Sequence, residues 1–116
     1  MSDKPQLAEE VYALVHSVHT LTEKFPERER LLLGAQMRGT ALTIASESTV
    51  GETTDDPAEQ QITLREAAVA CVRFELLMRL AADLKHATPS ELDEIGDLVA
   101  HVKREIARVR RTYHPE

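Results

Sequence analysis

Leu7, Val11, Leu14, Val18, Leu21 and Phe25 recur at spacings of 4, 3, 4, 3 and 4, and Pro26 then stops the pattern. Such spacing puts every apolar side chain on one face of a single helix. A proline disfavours helical geometry in the residue before it, so the first helix ends at the Phe25-Pro26 corner. The same proline suits the first turn of a following helix, where a missing N–H costs nothing. A chain that leaves one amphipathic helix and starts another across a single tight corner is building a helical bundle.

The remaining segments repeat that grammar. The first helix is expected over about residues 5–24, with Ser2 or Asp3 as its cap and Pro5 in its first turn. The second is expected over 26–47: Glu27 and Glu29 suit its positive end, and Leu33, Met37, Ala41, Ile44 and Ala45 form its buried side. Leu31, Leu32 and Leu42 widen its apolar surface beyond one face, and such a helix usually buries more than one face, against a neighbouring helix or another subunit. Gly34 and Gly39 are weak helix formers whose small size would permit close helix approach. Residues 48–56 are almost wholly polar and predict a connecting loop.

Asp56, Pro57 and Glu59 then read as cap, first helical position and third position, which starts a third helix running to about residue 86. Ile62, Val69, Val72, Leu76, Leu80 and Leu84 trace its expected seam, beside the small residues Ala67, Ala68, Ala70, Ala81 and Ala82. Thr88, Pro89 and Glu91 repeat the capping device and open a fourth helix over 89–113. Its residues Leu92, Ile95, Val99, Val102, Ile106, Val109 and Tyr113 alternate spacings of 3 and 4. Four amphipathic helices joined by tight turns predict an all-α, antiparallel up-down-up-down four-helix bundle in one domain spanning 1–116. With aromatics at only 3% and no Trp, its core must be made from Leu, Val, Ile, Ala and Met.

A net charge of -6 argues against a dedicated nucleic-acid binder while leaving room for local basic patches. Cys71 is the single cysteine, so no disulfide forms within the chain. No apolar run reaches the roughly 18 residues of a membrane span and none resembles a signal peptide, so the expected location is cytoplasmic.

The candidate binding residues are basic. Arg104, Arg108 and Arg111 share one helix face, with Lys103 beside them, and neutralising phosphates there would give salt-dependent affinity. They equally complement the negative end of their own helix. Arg30 and Arg38, with Arg28, form a second basic group interleaved with Glu27 and Glu29, a pattern of surface ion pairs. Glu75 and Arg79 stand in the favourable i, i+4 order for an ion pair. His16 and His19 stand at i, i+3, but the paired Glu-x-x-His of metal-binding bundles is missing, so neither a metal nor a cofactor is expected. Cys71 sits in an Ala- and Val-rich stretch and reads as a buried small hydrophobe. A small helical enzyme would need buried cationic side chains converging on a pocket, and the charges here fall mostly outside the seams.

Phe25-Pro26, Arg30, Leu33 and Gly34 resemble the F-P-x-x-x-R-x-x-L-G pattern of the Avd-like proteins, the accessory four-helix bundles of diversity-generating retroelements. Glu29, Leu33, Gln36 and Arg38 are also similar to the pattern of the rRNA intervening-sequence proteins. The stretches from Leu80 to Lys85 and from Leu92 to Gly96 resemble the later helices of the same group. This resemblance implies a non-enzymatic accessory protein that assembles as a homo-oligomer, favouring a homopentameric ring. It also implies a protein partner such as a reverse transcriptase, with RNA as a further ligand.

Overall fold

A computed structural model describes residues 6–111. The expected caps Ser2 and Asp3, Pro5 and Tyr113 lie outside the described residues. The chain forms helices α1 (Gln6–Thr22), α2 (Glu27–Leu31), α3 (Leu33–Thr53), α4 (Pro57–Asp83) and α5 (Pro89–Arg111). No strand occurs among the described residues. The fold is a helical bundle in which α3 packs on α1 and α4, and α5 packs on α4 and α1.

The seam of α1 is the core as its spacing predicts: Leu7, Val11, Leu14, Val18, Leu21 and Phe25 are all buried. So are Leu33, Met37, Ala41 and Ile44 of α3, and Ile95, Val99, Val102 and Ile106 of α5. Two caps also form as expected. The Asp56 carboxylate accepts the Ala58 N–H at 3.0 Å. At the start of α5, Glu91 N–H donates to Thr88 Oγ1 (3.1 Å) while Thr88 N–H donates to Glu91 Oε1 (2.9 Å), a reciprocal pair that satisfies both ends of the turn. The Thr88 N–H and the Lys24 ammonium hold the Glu91 carboxyl below its ordinary value.

Four expectations are corrected. The second helix is broken at Leu32 (φ -104°, ψ -90°), which leaves a five-residue α2 before α3. The predicted loop 48–56 is helical as far as Thr53, leaving only 54–56 as connection. Its composition is polar, but Ser48 and Gly51 are buried against the core, and tertiary packing overrides weak local propensity. The third helix ends at Asp83, not 86. Lys85 adopts φ 59°, its N–H bonding Ala82 O while the His86 N–H bonds Ala81 O, each at 3.0 Å. These two bonds terminate the helix by satisfying its last carbonyls, with lysine where glycine is usual.

The largest correction concerns α4. Its expected seam is on the outside: Ile62 is 61% exposed, Val72 53% and Leu76 63%, with Val69, Leu80 and Leu84 also exposed. The buried face carries Thr63, Leu64, Ala67, Ala70, Cys71, Phe74 and Ala81. Both sets recur at helical spacing. The small residues of the inner set let α4 lie close to α3, where Gly51 faces Leu64.

Candidate interaction surface

The outward apolar strip of α4 runs from Ile62 to Leu84 over most of the length of the helix. A second exposed apolar group, Leu31, Leu32 and Leu42, lies on α2 and α3. Leu31 and Leu32 stand outward because the break at Leu32 turns the short α2 away from the core, which buries none of its residues. Singly exposed apolar side chains are ordinary, whereas a continuous strip along one helix marks a surface that meets something.

The Phe25-Pro26 corner is clamped by polar contacts. The Arg38 guanidinium donates from Nη1 to Thr22 Oγ1 and from Nη2 to the Arg30 carbonyl, both at 3.1 Å. Gly34 leaves room for it: a Cβ there would stand 3.1 Å from Arg38 Nη1 and 3.3 Å from the Glu29 carbonyl. The Phe25 ring lies 5.5 Å from the His86 ring, and His86 Nε2 is 3.2 Å from Glu29 Oε2. Lys24 bridges to Glu91 at 3.1 Å. Arg38 and the backbone of Arg30 thus hold the corner together, and the Arg30 side chain remains exposed.

The other basic residues belong to a separate place. Lys103 pairs with Glu75 at 3.2 Å, which takes Glu75 away from the expected Arg79 partner. Arg108 pairs with Glu105 at 2.9 Å. Arg104 lies 3.4 Å from His101 Nδ1. Arg111 is exposed at the end of α5. Arg30 and Arg38 contact Thr22 and the corner, whereas Lys103, Arg104, Arg108 and Arg111 follow α5, so the structure does not join the six into one surface.

Acidic groups stand beside the α5 cluster. His101 Nε2 is 2.6 Å from Glu10 Oε2, tying α5 to α1. Burial raises the Glu52 carboxyl above its ordinary value, and Glu10 adds to this, against the backbone N–H groups of Leu7 and Ala8 and the Arg108 charge. Those N–H groups belong to the first turn of α1, so Glu52 of α3 faces that turn from another helix, with its Oε1 buried and without a hydrogen-bond partner. Ser48 Oγ is buried nearby in sequence without a hydrogen-bond partner.

Cys71 is fully buried, and burial pushes its thiol up to about 11, with Glu75 adding to the shift and Lys103 opposing it. A thiol held so firmly protonated is a poor nucleophile. His16 and Lys24 line an open groove of about 270 Å³ with Glu91 and Glu94. Among the described residues no three His, Cys, Asp or Glu side chains stand close enough together to hold a metal ion, and no helix is long and apolar enough to cross a membrane.

Sequence reasoning identified the apolar excess on the second helix but placed the α4 strip inside. The available signal was a helix apolar on two faces at once, one carrying Phe74 and Leu64 among small residues and the other a row of aliphatic side chains. Compared with known proteins, the chain matches no protein-family model and no curated protein.

Proposed function

We propose that this chain is a non-enzymatic, self-assembling scaffold of the Avd-like kind, which works in the cytoplasm and holds a protein partner such as a reverse transcriptase. Its bundle is read as antiparallel and up-down-up-down, in keeping with the short connections 54–56 and 84–88. One observation carries the proposal: the bundle leaves the six large apolar side chains of the α4 strip in solvent while its core is complete without them. Covering that strip with another chain removes apolar area from water, worth about 25 cal/mol per Å². The exposed Leu31, Leu32 and Leu42 offer further apolar area for the partner or another subunit.

Light scattering at moderate salt tests this reading. A particle of several chains is expected, and a mass near five chains supports the ring that the resemblance favours. A monomer across the accessible concentration range would overturn the scaffold reading.

One observation favours a second reading, an accessory factor that binds RNA through local basic patches. Arg104 and Arg111, seven residues apart on one face of α5, are exposed and pair with no carboxylate among the described residues. On this reading RNA binds at low salt, weakens steeply as salt rises, and is lost in Arg104→Glu/Arg111→Glu. Binding by neither the wild type nor the variant at low salt removes it.

A further inference from the structure

The α4 strip has a property that selects its occupant: turned end for end about its middle, its apolar positions fall within two residues of one another. If two copies of α4 lie antiparallel about a two-fold axis at the level of Phe74, Val72 of each copy falls opposite Leu76 of the other. In the same register Val69 comes within one residue of the level of Leu80 and Ile62 within two of Leu84, offsets of about 1.5 and 3 Å along the helix. Each large apolar residue of the strip then has another within reach on the facing helix.

The charges beside the strip agree with that register. Arg65 and Asp83 are 18 residues apart, about five helical turns, so they lie on the same edge of the helix. A two-fold axis between antiparallel helices brings like edge to like edge, placing Arg65 of one copy opposite Asp83 of the other, twice per pair. Both side chains are exposed, and neither has an ion-pair partner among the described residues. Asp83 closes the last turn of α4, where its own helix disfavours an acid. An arginine from a second copy offsets that cost. Two groups on the strip oppose the pairing: Arg73, whose two copies approach near the axis, and Glu66, which stands between Ile62 and Val69.

We infer that the exposed face of α4 binds a second copy of this chain through a self-complementary antiparallel contact, in which Ile62–Leu84, Val69–Leu80 and Val72–Leu76 form the apolar seam and Arg65–Asp83 the reciprocal ion pairs. This rests on the self-assembly reading above and specifies which face joins, in which direction and with which register.

Charge reversal tests it, with the association constant measured by sedimentation equilibrium. Arg65→Asp and Asp83→Arg each turn two attractive pairs into two repulsive ones, and each is expected to weaken association about tenfold. The double variant restores both pairs with their signs exchanged and returns association to the wild-type range. Arg73→Gln removes the repulsion at the axis and strengthens association. All three positions are exposed, so the bundle itself is expected to fold unchanged. Single reversals without effect, or a double variant that does not recover, overturn the contact. A five-chain particle, which a two-fold contact cannot close, leaves the scaffold reading standing and overturns the two-fold contact alone. A monomeric wild type overturns both.

Discussion

Phe74→Ala is expected to lower the unfolding free energy by roughly 3–5 kcal/mol, and Leu76→Ala, two residues along the same helix, to change it by less than about 0.5 kcal/mol. Phe74 is 0% exposed and Leu76 is 63% exposed. Removing the ring leaves a cavity between α4 and the core that the close-packed neighbours fill only in part, so cavity and transfer costs add. Trimming Leu76 leaves no cavity within one chain. Urea denaturation at protein concentrations low enough to dissociate assemblies measures both, because coupling to assembly would otherwise make the Leu76 result depend on concentration. If the outward strip were the core of the bundle, the two values would be reversed. A folded domain of this kind is stable by only about 5–15 kcal/mol, so the Phe74 change removes a large part of it.

Alanine at Gly51 and alanine at Gly39 are expected to act in opposite directions although both lie in α3. A Cβ at Gly51 would stand 2.5 Å from Leu64 Cδ2 and 2.7 Å from Leu64 Cγ. Leu64 is fully buried, so it cannot swing into solvent, and either its rotamer or the α3–α4 distance must change. Overpacking of this sort costs about 1–3 kcal/mol. Alanine recovers about 1 kcal/mol of helix propensity, so the net expectation for Gly51→Ala is a loss of up to roughly 2 kcal/mol. A Cβ at Gly39 meets nothing within 4 Å, and only the propensity gain remains. Gly39→Ala is therefore expected to stabilise by up to about 1 kcal/mol. Thermal and urea denaturation of the two variants check the pair. Equal effects would mean that the close approach of α3 to α4 does not govern packing.

These two results bear on assembly as well as stability. The approach at Gly51 and the small residues Ala67, Ala70 and Ala81 beside Leu64 and Phe74 commit that face of α4 to α3, with Ile62, Val72 and Leu76 outward. Gly51→Ala, by disturbing that approach, is the substitution within the core that can also shift the outward strip. The charge reversals at Arg65 and Asp83 act on the strip without touching the core.

Much of this architecture was legible in the residues alone. Along α1 and α5 one face is apolar and the other polar, so only one orientation buries the apolar side chains, and spacing predicts the inner set. The proline-led starts at Pro57 and Pro89 predict where helices begin, because capping and ring geometry are local. Local signals failed where a local rule had a distant competitor. The polar stretch from Ser48 to Thr53 carries loop composition yet continues α3, because Ser48 and Gly51 pack inward and Glu52 meets the first turn of α1. The candidate basic residues were identifiable as charges, but spacing along the chain could not reveal that Arg38 would be spent on Thr22 and Arg30, or Lys103 on Glu75.

The sequence by itself determined that the chain is helical, where most of its helices start, and which faces of α1 and α5 turn inward. Only the tertiary structure decided which of the two apolar faces of α4 is buried. Periodicity cannot choose between two faces that both repeat at helical spacing. The choice is made by the distance at which the helix can pack: the face of Ala67, Ala70 and Ala81 admits α3 closely enough to enclose Phe74 and Leu64, whereas the face of Ile62, Val72 and Leu76 is left outside.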